Sequence, residues 1–254
     1  MRVLFVHGAC VVDGAWWWQR MTGPLERRGL ASAAVELPSC GPINPPPGTP
    51  ELGDLRADIA AVRAAAAGDE PTVLVGHSYG GMVITGAAAA EPSVVGHPNV
   101  AAQPNVAGLV YLAAMLPDAD EALAAMADPD SPSWLEPADP NTMRVRGDLS
   151  DRDFQDHFLD DCDQAATEGA LARIGQQAAA AFGQPPGGAG WRTLPTTAVV
   201  CTADRATPPA KQRHWARRAG RVVELDSGHH PFLSRPEELA TIIAAAIPAQ
   251  PHPG

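Results

Sequence analysis

The stretch Val73-Leu74-Val75-Gly76-His77-Ser78-Tyr79-Gly80-Gly81-Met82 runs from an apolar strand through a G-x-S-x-G turn into a helical segment. Its spacing has a steric reason. A serine presented at the end of a strand must sit on a sharp, strained turn, and glycines two residues to either side let the neighbouring backbone approach closely. A bare G-x-S-x-G arises by chance in a chain with 24 glycines. A strand before it and a helix after it supply the context that the pattern demands. The reading is a nucleophile elbow with Ser78 at its apex. The helix that follows would aim its free N–H groups and positive end at a developing oxyanion.

Outward from this turn, short β-branched runs alternate with Ala-rich or amphipathic stretches, the pattern of a parallel sheet with crossover helices. The expected strands are 3–7, 33–37, 72–76, 107–113, 196–202 and 222–225, and the expected helices 15–28, 51–67, 80–90, 208–219 and 236–246. This is an α/β chain, a mostly parallel six-stranded sheet with helices on both faces, in a single domain of residues 1–254. One interval breaks the rhythm. Residues 117–195 carry no convincing buried strand and offer two or three helix-like segments, so they read as an inserted helical cap or lid. Its entry (Pro129, Pro132, Pro137, Pro140) and exit (Pro185-Pro186-Gly187-Gly188) read as hinges or linkers. The segment 41–48 reads as a surface loop and 248–254 as a frayed tail.

A serine hydroxyl needs an imidazole to take its proton, and the imidazole needs a carboxylate to hold its tautomer. In an elbow of this kind the base comes last in the chain, after the final strand. Asp226-Ser227-Gly228-His229-His230-Pro231 occupies that place. His229 is preferred over His230, which Pro231 pushes toward extended geometry. His7 closes the first strand and reads as packing or backbone bonding beneath the site; His97, His157 and His214 read as surface or loop residues. The acid is placed at Asp204, just past the fifth strand, with Asp118 after the fourth strand as its rival.

These marks, together with Val6-His7-Gly8-Ala9-Cys10 and Gly14-Ala15-Trp16 near the N-terminus, resemble the α/β-hydrolase superfamily. Within it the resemblance is to the subgroup of plant methylesterases, hydroxynitrile lyases and small bacterial esterases, and it spans nearly the whole chain. The resemblance implies an α/β-hydrolase fold, a serine hydrolase acting on a carboxylic ester through an acyl-enzyme, and no cofactor. It also implies backbone oxyanion donors at Ala9 and Tyr79. A lyase or thioesterase on the same site, and a ligand-binding receptor built on the fold, are the alternatives. Plant-type hydroxynitrile lyases place threonine where this chain has Ala9 and lysine where it has His230, and both marks are absent. The run Trp16-Trp17-Trp18 is expected to pack against the sheet.

Composition narrows the ligand. A formal charge of −11 argues against nucleic acid or an anionic membrane surface and for a small, uncharged substrate. Asp153, Asp156, Asp160 and Asp163 are read as one solvated face of a cap helix rather than a metal site, because no mixed His/Cys ligand spacing accompanies them. Cys10, Cys40, Cys162 and Cys201 lack the C-x-x-C spacing of a zinc or redox motif and read as free thiols. No signal-peptide pattern and no apolar run of about 18 residues is present, so the expectation is a cytoplasmic protein without a membrane span.

Overall fold

Successive residues of the apolar runs point to opposite sides of one sheet, and each side has its own core. Val3, Phe5, Val73, Val75, Val110 and Leu112 pack in one layer with Trp18, Met21 and Ile243. Leu4, Val6, Leu74, Leu109 and Tyr111 pack in the other with Leu55, Val62 and Met82. This is why the central strands read as apolar runs: where a parallel sheet is covered on both faces it has no wet side.

The computed structural model describes residues 1–90, 104–126, 134–147 and 152–248. In chain order its strands are β1 (Arg2–Val6), β2 (Ala31–Val35), β3 (Cys40–Gly41), β4 (Thr72–His77), β5 (Val106–Leu112), β6 (Leu135–Asp139), β7 (Thr142–Val145), β8 (Gln176–Ala178), β9 (Thr196–Cys201) and β10 (Arg221–Leu225). The main sheet has the order β10-β9-β5-β4-β1-β2, with every neighbouring pair parallel. All six strands expected from the sequence are present, shifted by two residues or fewer. β1 leads outward to β2 while β4 leads the other way to β5, so the strand order reverses between β1 and β4. The carboxyl ends at such a switch point splay apart and leave a crevice. The segments after β1 and β4 are Gly8-Ala9 and Ser78-Tyr79.

Helices Gly14–Glu26 and Pro236–Ala246 cover one face, and Leu55–Ala65 and Gly80–Ala87 the other. The second of these in chain order begins later than the expected 51, because the Asp54 carboxylate accepts the Ala57 N–H at 3.0 Å and caps the helix there. The tryptophan run packs as expected: Trp18 stacks on Phe5 with ring centroids 4.2 Å apart, and Trp17 is buried beside it.

The 117–195 interval holds helices and, in addition, three strands that its composition hid. β6, β7 and β8 join β3 in a four-stranded sheet of order β3-β8-β7-β6. β6 contains Pro137 and a register irregularity, and the chain reverses at Pro140 where Asp139 Oδ1 accepts the N–H groups of Asn141 and Thr142 at 2.7 and 2.9 Å. Pro137 and Pro140 therefore belong to a hairpin rather than a hinge. The acidic residues also divide: the helix Arg152–Phe158 ends before Asp160, and Asp163 caps the next helix by accepting the Ala166 N–H at 2.8 Å. Pro129, Pro132, His97 and residues 249–254 lie outside the described residues.

Candidate active site

Ser78 sits between β4 and the helix Gly80–Ala87 with φ of 51°, a left-handed backbone that a serine adopts only when its surroundings impose it. They do so through close approach. A Cβ on Gly76 would lie 2.6 Å from the Gly80 carbonyl oxygen, and one on Gly80 would lie 2.5 Å from the Val6 carbonyl oxygen. The Ser78 N–H is held by the Leu112 carbonyl at 3.2 Å. Its side chain is left facing a cavity of about 180 Å³ that Ala9, Tyr79, His229 and His230 also line.

His229 follows β10 and is buried, 2% exposed, with Nδ1 2.7 Å from Asp204 Oδ2. Nδ1 is the donor, since a carboxylate only accepts, and the proton of the neutral ring is thereby committed to it, leaving Nε2 bare. Asp204 is 3% exposed, and its carboxylate is nonetheless saturated. Oδ1 accepts the N–H groups of Ala206 and Thr207 at 2.9 and 2.8 Å, and Oδ2 accepts from Gln212 Nε2 at 2.7 Å as well as from His229. Gln212 is itself locked. Its second Nε2 hydrogen goes to the Thr207 carbonyl at 2.6 Å, and its Oε1 accepts the buried Cys201 N–H at 2.9 Å.

The other sequence candidates go elsewhere. Asp118 forms a salt bridge with Arg192, whose guanidinium holds that carboxyl below the usual range. His230 turns away from Asp204 and donates its Nδ1–H to the Phe158 carbonyl at 2.8 Å; burial, then the neighbouring His229, brings its pKa down to about 3. His7 donates Nδ1–H to the Gly8 carbonyl at 2.9 Å and accepts the Leu37 N–H on Nε2 at 3.3 Å, a backbone clamp beneath the Gly8-Ala9 turn. Among the described residues the N–H groups of Ala9 and Tyr79 meet no acceptor.

Three residues that the sequence reading passed over also shape the site. Gln212 anchors Asp204. His77 donates Nε2–H to the His229 carbonyl at 2.9 Å and fixes the backbone of that residue; burial holds its ring neutral, its pKa well below the ordinary value. Asp161 accepts the Gly228 N–H at 2.8 Å and pins the same loop from the 117–195 interval. Only His77 stood beside a motif. The others lie 8 and 67 residues from what they touch, and no local pattern marks them.

A nitrogen from each of His77, His229 and His230 lies within 4.8 Å of the other two. Each of these rings has already committed one nitrogen to an oxygen acceptor. Among the described residues no helix is long and apolar enough to cross a membrane.

Comparison with known proteins agrees with this architecture. A model of the alpha/beta hydrolase family matches residues 3–242. The alpha/beta hydrolase nvfD of Aspergillus novofumigatus (strain IBT 16806) is 27% identical over 235 residues, covering 90% of each chain. Polyneuridine aldehyde esterase of Rauvolfia serpentina is 26% identical over 259 residues, covering 93% of this chain and 91% of its own. Among solved structures, the pyrethroid hydrolase of Sphingobium faniae JZ-2 superposes with a TM-score of 0.77 at 25% identity, covering 96% of both chains.

Proposed function

Because this chain belongs to the alpha/beta hydrolase family, we propose that it is a serine esterase whose nucleophile is Ser78, whose general base is His229 and whose orienting acid is Asp204. The observation that carries the reading is the strained Ser78 facing the same cavity as His229, with His229 Nδ1 bonded to Asp204 at 2.7 Å. The names of the relatives, an esterase and a pyrethroid hydrolase, support ester hydrolysis as the reaction class.

The positions of Ser78, His229 and Asp204 support the following course. Ser78 Oγ attacks the ester carbonyl carbon as the bare Nε2 of His229 takes its proton, and Asp204 stabilises the imidazolium that forms. The negative charge that develops on the carbonyl oxygen is received by the free N–H groups of Ala9 and Tyr79, each such donor contributing roughly 3 kcal/mol to the transition state. His229 then protonates the departing alkoxide, leaving an acyl-Ser78. Water activated by the same imidazole attacks the acyl carbon and releases the acid.

The cavity suggests the substrate class. Trp134, Phe154, Phe158, Ile174 and Phe182 contribute apolar surface, and none of the described lining residues is Asp, Glu, Lys or Arg. An uncharged ester with an apolar acyl or alcohol group fits it, since a charged group would be desolvated there without a partner. The five residues just named belong to the 117–195 interval, which we assign as the cap of a single domain.

The test sets short-chain p-nitrophenyl and methyl esters beside mandelonitrile, with wild type and Ser78→Ala in parallel. Ester turnover that vanishes in Ser78→Ala, with no cyanide release above background, is the expected result. Ser78-dependent cyanide release without ester turnover would replace the esterase by a lyase. Absence of both activities, with a ligand still bound, would favour a receptor.

A further inference from the structure

Beneath the elbow lies a fully buried carboxylate that the reaction above does not use. Asp58 is 0% exposed on the helix Leu55–Ala65, on the apolar face it shares with Leu55, Ile59 and Val62. Among the described residues it forms no salt bridge. A lone buried charge is costly unless hydrogen bonds replace the lost water. Three do so here: Ser39 N–H donates to Oδ1 at 2.9 Å, while Ser39 Oγ–H and the Tyr79 phenol donate to Oδ2 at 2.6 and 2.7 Å.

The chain of bonds continues. Ser39 Oγ accepts from Gln177 Nε2 at 2.9 Å, and Gln177 Oε1 accepts the Cys10 N–H at 3.1 Å. Cys10 is itself in a left-handed conformation, φ 55°, directly after Ala9. One end of this network is therefore the side chain of Tyr79 and the other is the peptide that joins Ala9 to Cys10. Each end thus adjoins a residue whose backbone N–H is an oxyanion donor in the proposed reaction: the Tyr79 phenol on one side, and on the other the peptide that follows Ala9. Burial and the adjacent carboxylate push the Tyr79 phenol well above its ordinary value, so its hydroxyl stays a donor.

Resting on the esterase reading above, we propose that Asp58 is a positioning residue for the oxyanion site, coupling the Tyr79 and Ala9 donors through Tyr79 Oη on one side and Ser39, Gln177 and Cys10 on the other. The two donors lie on different segments, one after β1 and one after β4, and nothing in the covalent chain sets their separation. The ladder between β1 and β4 brings the two segments side by side, and the network ties them together beyond the strand ends. Oxyanion donors act only at the right distance from an oxygen that exists in the transition state, so a shift of a fraction of an ångström is felt in kcat and scarcely in ground-state binding.

The experiment compares wild type, Asp58→Asn, Tyr79→Phe, Gln177→Leu and the double variant Tyr79→Phe/Gln177→Leu on a p-nitrophenyl ester. Active sites are counted by fluorophosphonate titration, so that loss of folded protein is not read as loss of kcat. Each single variant is expected to lower kcat per titrated site about 10- to 100-fold, with KM changed less than about threefold. The inhibition constant of a trifluoromethyl ketone, which forms the tetrahedral adduct, should rise in parallel. Because the two ends act through one network, the double variant should lose less than the product of the single losses. Should Asp58→Asn not fold, the variants at the two ends decide. A kcat within twofold of wild type in both Tyr79→Phe and Gln177→Leu, losses confined to KM, or losses that simply multiply would overturn the inference while leaving the esterase standing. Absence of Ser78-dependent turnover in wild type would overturn the esterase reading and this inference with it.

Discussion

Replacing Asp204 by asparagine changes one atom, and the hydrogen bonds around it dictate which way the amide must face. The Oδ1 position receives two backbone N–H groups, from Ala206 and Thr207, so the amide oxygen is required there. The NH₂ group is then forced into the Oδ2 position, opposite Gln212 Nε2 and His229 Nδ1. Gln212 cannot turn over to accept it. Flipped, its oxygen would stand 2.6 Å from the Thr207 carbonyl and its NH₂ would face the Cys201 N–H. The remaining adjustment is at His229, whose Nδ1 must become the acceptor. Its single proton moves to Nε2, the nitrogen that has to be bare to receive the Ser78 proton. An imidazole held in the wrong tautomer costs on the order of 10⁴ in kcat, or about 5.4 kcal/mol at 1.36 kcal/mol per tenfold. The assay is steady-state hydrolysis of a p-nitrophenyl ester by Asp204→Asn, with Asp118→Asn as a control at a carboxylate that is bonded to Arg192 instead. Asp118→Asn should stay within about threefold of wild type. A loss of less than tenfold in Asp204→Asn, or an equal loss in Asp118→Asn, would refute this reasoning.

Three further outcomes are expected. Ser78→Ala and His229→Ala should each lower kcat by about 10⁴ to 10⁶, and the double variant little further, because the two side chains act as one unit; full additivity in a kinetic cycle would contradict a shared proton transfer. Gly80→Ala should leave little folded protein, because its Cβ would fall 2.5 and 2.8 Å from the Val6 and His7 carbonyl oxygens, both backbone atoms that cannot yield without moving β1; a melting temperature within a few degrees of wild type would show that the turn has more room than this. His230 is neutral in the fold, with its pKa brought down from 6.5 to about 3, so between those values the unfolded chain binds the proton that the folded chain excludes. Stability from this group is therefore complete above its unfolded value and is lost as pH falls. Between pH 7 and 5 the loss is about 2 kcal/mol, and chemical denaturation of wild type against His230→Asn at the two pH values should show a shallower fall in the variant.

Local sterics and chain order account for the features that were legible in the sequence. The elbow had to read G-x-S-x-G because a side chain at Gly76 or Gly80 would collide with backbone a few residues away or on β1. The four central strands, β1, β4, β5 and β9, were visible because a sheet covered on both faces demands nearly continuous apolar runs, and the loops after β9 and β10 followed from order along the chain. Asp58 also left a trace, an acid within the stripe Leu55, Asp58, Ile59 and Val62, although nothing local indicates what it bonds. Strands β6 to β8 left none: they are three to five residues long, β6 contains Pro137 and β8 paired glutamines, and all three are held by pairing with one another and with β3. Tertiary structure also decided the two adjacent histidines. Their sequence contexts are nearly alike, yet the ring of His229 meets the Asp204 carboxylate while that of His230 meets the Phe158 carbonyl, because the loop is pinned by Asp161 at Gly228 and by His77 at the His229 carbonyl, across 67 and 152 residues of chain. Hydrogen bonds between segments so far apart depend on how two layers pack against one sheet, and that information is spread over the whole core rather than written beside the residues it positions.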